Sequence, residues 1–149
     1  MLFRSAAVAD PGLHRADALR ADLAHWRRVA GAPSRLPVST ASRVYAERIR
    51  ASASWGGLFV AHHYVRYLGD LSGGRLLDRL LRGSLAPDGV GLRFYDFPAI
   101  PRPVPFKRAY RSRLDALPGH PDDVGRVVAE VRAAFGLNAA LLAELAPPV

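Results

Sequence analysis

Residues 59–75 read Phe59-Val-Ala-His-His-Tyr-Val-Arg-Tyr-Leu-Gly-Asp-Leu-Ser-Gly-Gly-Arg75. The apolar spacing over Trp55 to about Leu81 predicts one long helix, interrupted by Gly69, Gly73 and Gly74. Each glycine costs roughly 1 kcal/mol relative to alanine inside a helix, so something must compensate. Gly69 and Gly73 are four residues apart and share a helical face. Without Cβ atoms that face lets the backbone approach a flat or bulky group. Asp70 lies beside it, where a carboxylate can hold ordered water against a ligand. The glycines alone also fit a small-residue contact between two helices. Tyr64, Arg66 and Asp70 shift the balance, because a plain helix crossing does not need them.

Outward from this run, proline and glycine punctuate the chain into further helices. Asp10-Pro11-Gly12 opens a segment to about Val29, with Leu13, Ala16, Leu19, Leu23 and Trp26 at helical spacing. Gly31 to Pro37 breaks it. Ser39 or Thr40 caps the next helix, whose expected inward face is Ala41, Val44, Tyr45 and Ile49. Pro87 to Pro105 is the least regular stretch. Gly91 to Phe97 reads as a short extended piece, and Pro98, Pro101, Pro103 and Pro105 argue against a stable element after it. Phe106 to Leu117 reads as a helix stopped by Pro118-Gly119. Pro121 starts the last helix, with an apolar stripe of Val124, Val127, Val128, Val131, Ala134, Phe135, Leu141, Leu142 and Leu145. No alternating strand pattern stands out. The expectation is an all-α fold, one domain over residues 1–149.

The 149 residues suffice to bury a core, with hydrophobic residues at 50% and charged residues at 23%. There is no cysteine, hence no disulfide framework and no thiolate site. No apolar run reaches the length of a bilayer span, and Met1 to Asp10 lacks a convincing signal peptide, so a cytoplasmic protein without membrane attachment is expected. The formal net charge is +8. The cations are 20 Arg and a single Lys, Lys107, scattered without a run of five. That pattern reads as a solvated basic surface rather than a nucleic-acid site. A basic face also suits an acidic electron-donor protein.

Ala61 through Gly74 resembles the heme oxygenase motif A-H-x-Y-x-R-Y-L-G-D-L-S-G-G at every fixed position. Phe106-Lys107-x-x-Tyr110-Arg111-x-Arg113 is similar to the family's propionate-binding helix. Ala134-Phe135-x-Leu137-Asn138 matches its last helix. Leu13-His14-Arg15 to Trp26 and Phe94-x-x-Phe97-Pro98 are weaker matches in the same order. Independently of the family, Lys107 and Arg111 at i, i+4 project two cations from one face, which suits two carboxylates at one edge. Asn138 on an apolar stripe demands a polar partner in any case.

The resemblance implies a distal helix kinked at its glycines, with Gly69 and Gly73 over the heme face leaving room for oxygen. It implies Asp70 as anchor of a proton-delivering water network, joined by Arg66. Tyr64 would pack near a propionate, Lys107 and Arg111 would hold propionates, Phe135 would pack near heme, and Asn138 would add a polar group. The implied reaction opens heme to biliverdin, carbon monoxide and ferrous iron. It uses oxygen and electrons from a ferredoxin or flavoprotein reductase, with heme as both cofactor and substrate. The family has helices preceding the segment that begins here, the first carrying a proximal histidine that ligates iron. None of His14, His25, His62, His63 and His120 aligns with it, so no metal ligand is assigned. On that basis residues 1–149 are expected to turn over poorly. Two alternatives remain: a non-enzymatic heme-binding or vestigial helical protein, and a basic helical nucleic-acid module.

Overall fold

The computed structural model describes residues 5–33, 37–117 and 119–145. Among them the regular structure is helical throughout, as the sequence predicts, and no strand occurs. The main elements are α1 (Ala16–Val29), α2 (Thr40–Ala51), α3 (Gly56–His63), π1 (Tyr64–Leu68), π2 (Asp70–Gly74), α4 (Arg75–Ser84), α5 (Pro103–Asp115) and α6 (Pro121–Leu145). Short 3-10 turns fill several of the joins. Among the described residues no helix is long and apolar enough to cross a membrane.

Several boundaries differ from expectation for local reasons. Gly12 sits in a 3-10 turn, Pro11–Leu13, capped by the Asp10 carboxylate, and the helix proper starts only at Ala16. Ser39 is the N-cap of α2, its hydroxyl accepting from the Ser42 amide. The α-helix is interrupted in this stretch, between His63 and Arg75, but the chain stays helical from residue 56 to 84: π1 precedes Gly69, and π2 carries Gly73 and Gly74. A π turn bonds i to i+5, and such turns are frequent at functional sites. The Gly91 to Phe97 stretch is not extended: Arg93–Tyr95 forms a 3-10 turn. Pro103 and Pro105 do not exclude a helix. They occupy the first turn of α5, where a missing amide hydrogen costs nothing. That helix ends at Asp115, and Pro118 lies outside the described residues, as do residues 34–36 of the expected break.

The described residues gather into two compact units interleaved in sequence. Unit 1 comprises residues 5–8, 37–66 and 110–145. In it α6 packs against α2 and α3. Tyr110 and Ala134 are fully buried, beside Val60, Ala61, Val65, Ala41 and Tyr45. The expected inward faces are only partly buried. Val44 and Ile49 of α2, and Val124, Val128, Phe135, Leu142 and Leu145 of α6, are exposed. Helical spacing says which residues share a face, but not how much of that face finds a partner.

Unit 2 comprises residues 9–33 and 67–109. Its buried apolar residues are Leu13, Leu68, Leu71, Ala86, Leu92 and Ile100, while Leu19 and Leu23 of α1 are exposed. Buried Asp22 on α1 fixes the 3-10 turn, accepting from the amides of Arg93 (3.0 Å) and Phe94 (2.7 Å). Nearby, the Trp26 indole donates to the Gly91 carbonyl at 2.8 Å.

Candidate functional site

Unit 1 holds a polar ladder between three helices. Its lower rung is the buried Glu130 carboxylate of α6. Arg48 of α2 donates through Nε at 2.8 Å, and His62 of α3 approaches through Nε2 at 2.8 Å. The Arg48 guanidinium beside Glu130 holds its carboxyl below the usual carboxylate range, with His62 adding to the effect and burial opposing it. An ionised carboxylate only accepts, so His62 Nε2 carries the proton in this contact.

The upper rung is Asn138, eight residues further along α6. Arg66 donates to Asn138 Oδ1 at 2.9 Å, and Asn138 Nδ2 donates to the Tyr45 hydroxyl at 3.1 Å and to the Ala134 carbonyl at 2.9 Å. Glu130, Ala134 and Asn138 follow i, i+4, i+8 and so share one face of α6. His62 and Arg66 are likewise four apart. Above both rungs, Glu144 accepts from the Ala41 amide at 2.9 Å at the start of α2.

Sequence reasoning found Arg66 and Asn138 and missed Glu130, Arg48 and Tyr45. The legible signal was Glu130 itself, an acid in the middle of an apolar helix, four residues before Ala134 and eight before Asn138. Beside the ladder, Tyr110 is fully buried with its hydroxyl 2.8 Å from His63 Nδ1 and its ring parallel to that imidazole. Tyr64 is half-buried; it packs at a tilt on Tyr110 and lines an apolar cavity of about 390 Å³ with Val60, Val127 and Val131. Phe135 and Arg111 are exposed.

Unit 2 holds the glycine face. At Gly69 and at Gly73 an added Cβ would meet no atom within 4 Å, so among the described residues both look into open space. Gly74 is different, since a Cβ there would stand 3.3 Å from the Tyr95 ring. The third glycine is therefore an internal packing position, and the first two are the bare surface. Asp70 is half-buried between them. Lys107 of α5 donates to the Ser72 hydroxyl at 2.9 Å, which ties α5 to π2 within this unit. The i, i+4 relation of Lys107 and Arg111 is preserved, since both lie on α5. No group of three or more potential ligand side chains that suits a metal ion occurs among the described residues.

Three kinds of comparison agree on what this chain is similar to. A family model described as heme oxygenase matches residues 4–144. Heme oxygenase 1 of Rattus norvegicus is 39% identical over 89% of this chain and 47% of its own length. Heme oxygenase 2 of Synechocystis is 34% identical over 93% of this chain and 57% of its own length. The chain thus spans about half the length of these relatives. Among solved structures, Synechocystis heme oxygenase-1 in complex with heme superposes with a TM-score of 0.83 at 33% identity, covering 94% of this chain and 63% of that one. The heme oxygenase of Leptospira interrogans gives 0.80 at 35% identity, covering 93% and 68%. On the matched residues, the shared helical fold and these relatives, the chain belongs to the heme oxygenase family.

Proposed function

We propose that this protein is a heme oxygenase, binding heme and opening it to biliverdin, carbon monoxide and ferrous iron with oxygen and external electrons. The observation that carries the reading is the bare surface at Gly69 and Gly73, with Asp70 between them. Open space beyond two consecutive-turn glycines fits the flat face of a macrocycle, which no side chain at those positions would allow. Two of the structures that this chain resembles are heme complexes.

When bound, heme supplies both the iron chemistry and the ring that is oxidised. The protein supplies position and protons. The glycine face seats the ring. Asp70 is the group on this face able to hold water and pass a proton through its carboxylate oxygens. Arg66 is held in place by Asn138, so its guanidinium has a fixed direction. Asn138 is fixed in turn by Tyr45. Lys107 and Arg111 offer cations for the two propionates, and Tyr64 and Phe135 offer aromatic surface to the ligand. Electrons come from a ferredoxin or flavoprotein reductase, whose acidic surface suits a chain of net charge +8, in a cytoplasmic setting.

The test is to titrate the purified protein with hemin, then supply oxygen with a ferredoxin and its reductase. A saturable heme spectrum followed by biliverdin is the expected result. Failure to bind hemin overturns the reading. Heme binding without biliverdin reduces it to a heme-binding protein.

A further inference from the structure

Three cations of unit 2, Arg75, Arg79 and Lys107, line a cleft of about 680 Å³. That volume is ordinary for a small-molecule site, where ~300–1,000 Å³ is usual. One wall is the run from Leu71 to Arg79, the second is Tyr95 to Phe97, and the third is the start of α5 as far as Lys107. Leu71, Arg75 and Arg79 are spaced i, i+4, i+8 and present one side of the helix. Gly69 and Gly73 are offset from them by two residues, about half a turn, and line no part of the cleft. Cleft and glycine face are therefore back to back on the same helix.

The charge in the cleft is unbalanced. Three cations line it, Arg75, Arg79 and Lys107, and two carboxylates, Asp78 and Asp96. Both carboxylates are taken by Arg82, with Nε 2.9 Å from Asp78 and a terminal nitrogen 3.5 Å from Asp96. Lys107 donates only to a neutral hydroxyl, that of Ser72. No ion pair involving Arg75 or Arg79 occurs among the described residues. Arg15, which does not line the cleft, lies 4.2 Å over the Phe97 ring. Tyr95 and Phe97 add aromatic rings to a lining that is otherwise mostly polar. Two paired carboxylates and at least two cations left over beside aromatic walls match a dianion with a flat or extended apolar body.

We propose that this cleft is a second ligand site, taking a tetrapyrrole dicarboxylate with Arg75 and Arg79 as its carboxylate clamps. The choice of tetrapyrrole rests on the heme oxygenase reading, whose substrate and product both belong to this class. Lys107 lines the cleft and is also the cation assigned above to a heme propionate. Arg75 and Arg79 belong to the cleft alone.

The experiment uses the full chain with biliverdin as probe, with and without prior saturation by hemin. Expected is uptake of biliverdin by the heme-saturated chain. Arg75→Glu and Arg79→Glu should each weaken it about tenfold, with hemin affinity unchanged. Gly73→Leu, which blocks the glycine face, should weaken hemin and leave biliverdin binding intact. Arg75→Ala serves as the milder variant, with circular dichroism confirming that each protein remains helical. A heme-saturated chain that takes up no biliverdin overturns the proposal. So does biliverdin binding indifferent to both charge reversals, or an equal loss of hemin and biliverdin in both, which makes the cleft part of one shared site. If wild-type chain binds biliverdin with this mutational pattern but never hemin, the heme oxygenase reading falls and the cleft stands.

Discussion

His62 Nε2 stands 2.8 Å from the carboxylate of Glu130, and both side chains are buried. Arg48 completes the set from a third helix, so one carboxylate joins α2, α3 and α6. Breaking a buried charged pair by removing one partner costs about 3–5 kcal/mol. Arg48 is half exposed and recovers some solvation, so Glu130→Ala is expected to cost on the order of 2–3 kcal/mol. Urea unfolding of the two proteins measures this directly. A loss under 0.5 kcal/mol, the scale of ordinary surface changes, would show the rung to be ornamental.

The same carboxylate makes the protein acid-sensitive. Arg48, and then His62, hold the Glu130 carboxyl below its ordinary value. Its contribution is therefore fully present above the unfolded carboxylate value near 4.5 and lost as pH falls through the lower folded value. Wild type and Glu130→Gln should differ in melting temperature at pH 6–7, and the gap should shrink below about pH 4. A gap independent of pH argues against ionic bonding at this rung.

Tyr110 gives the opposite edge. Burial pushes its phenol well above the usual value near 10, with the Arg113 charge pulling the other way. The folded state thus resists ionisation, and stability is complete below the unfolded value and declines as pH rises beyond it. Wild-type protein should lose stability from about pH 10 upward, and Tyr110→Phe should flatten that decline while losing the bond to His63. Equal alkaline profiles for both proteins would remove Tyr110 as the cause.

Gly91 is held at a φ of +85° against α1, and a Cβ there would stand 2.6 Å from His25 and 2.7 Å from Trp26. Gly91→Ala carries a left-handed backbone penalty and a clash with two rings, so a loss of about 2 kcal/mol or more is expected. Chemical denaturation checks it. Wild-type stability in the variant would mean that this turn relaxes freely.

How much of this was legible depends on the kind of signal. Ala61 to Gly74 announced the family and the glycine surface, because each fixed residue has a chemical reason to be there. Asn138 announced its need for partners by being polar on an apolar stripe, and Arg66 and Tyr45 now meet that need. The ladder's lower rung was not read, because Arg48, His62 and Glu130 lie on three helices and no local pattern joins them. The π turns were not read either: a widened turn changes the hydrogen-bond partner without changing the residues. Val44 and Ile49 were misjudged as inward, because periodicity fixes a shared face but not the area that covers it.

The glycine face itself can be separated from ordinary helix packing by one pair of measurements. Gly69 has helical backbone angles, φ −61° and ψ −50°, so a side chain there incurs no backbone strain. Beyond its chain neighbours and its own helix backbone, no atom among the described residues lies within 4 Å of the position a Cβ would take. Alanine is therefore expected to stabilise the free protein by about 0.5–1 kcal/mol, the usual helix-interior gain over glycine. A glycine kept for a close helix contact gives the reverse, since its Cβ would push a neighbour away. Heme binding should move the other way from stability. Gly69→Leu places a branched side chain in the open space and should lower hemin affinity at least about tenfold without unfolding the protein. Thermal melts and hemin titrations on the same samples read both quantities. Stability gained with affinity lost identifies the bare surface as a ligand face. Affinity unchanged in Gly69→Leu would remove this face from the heme site.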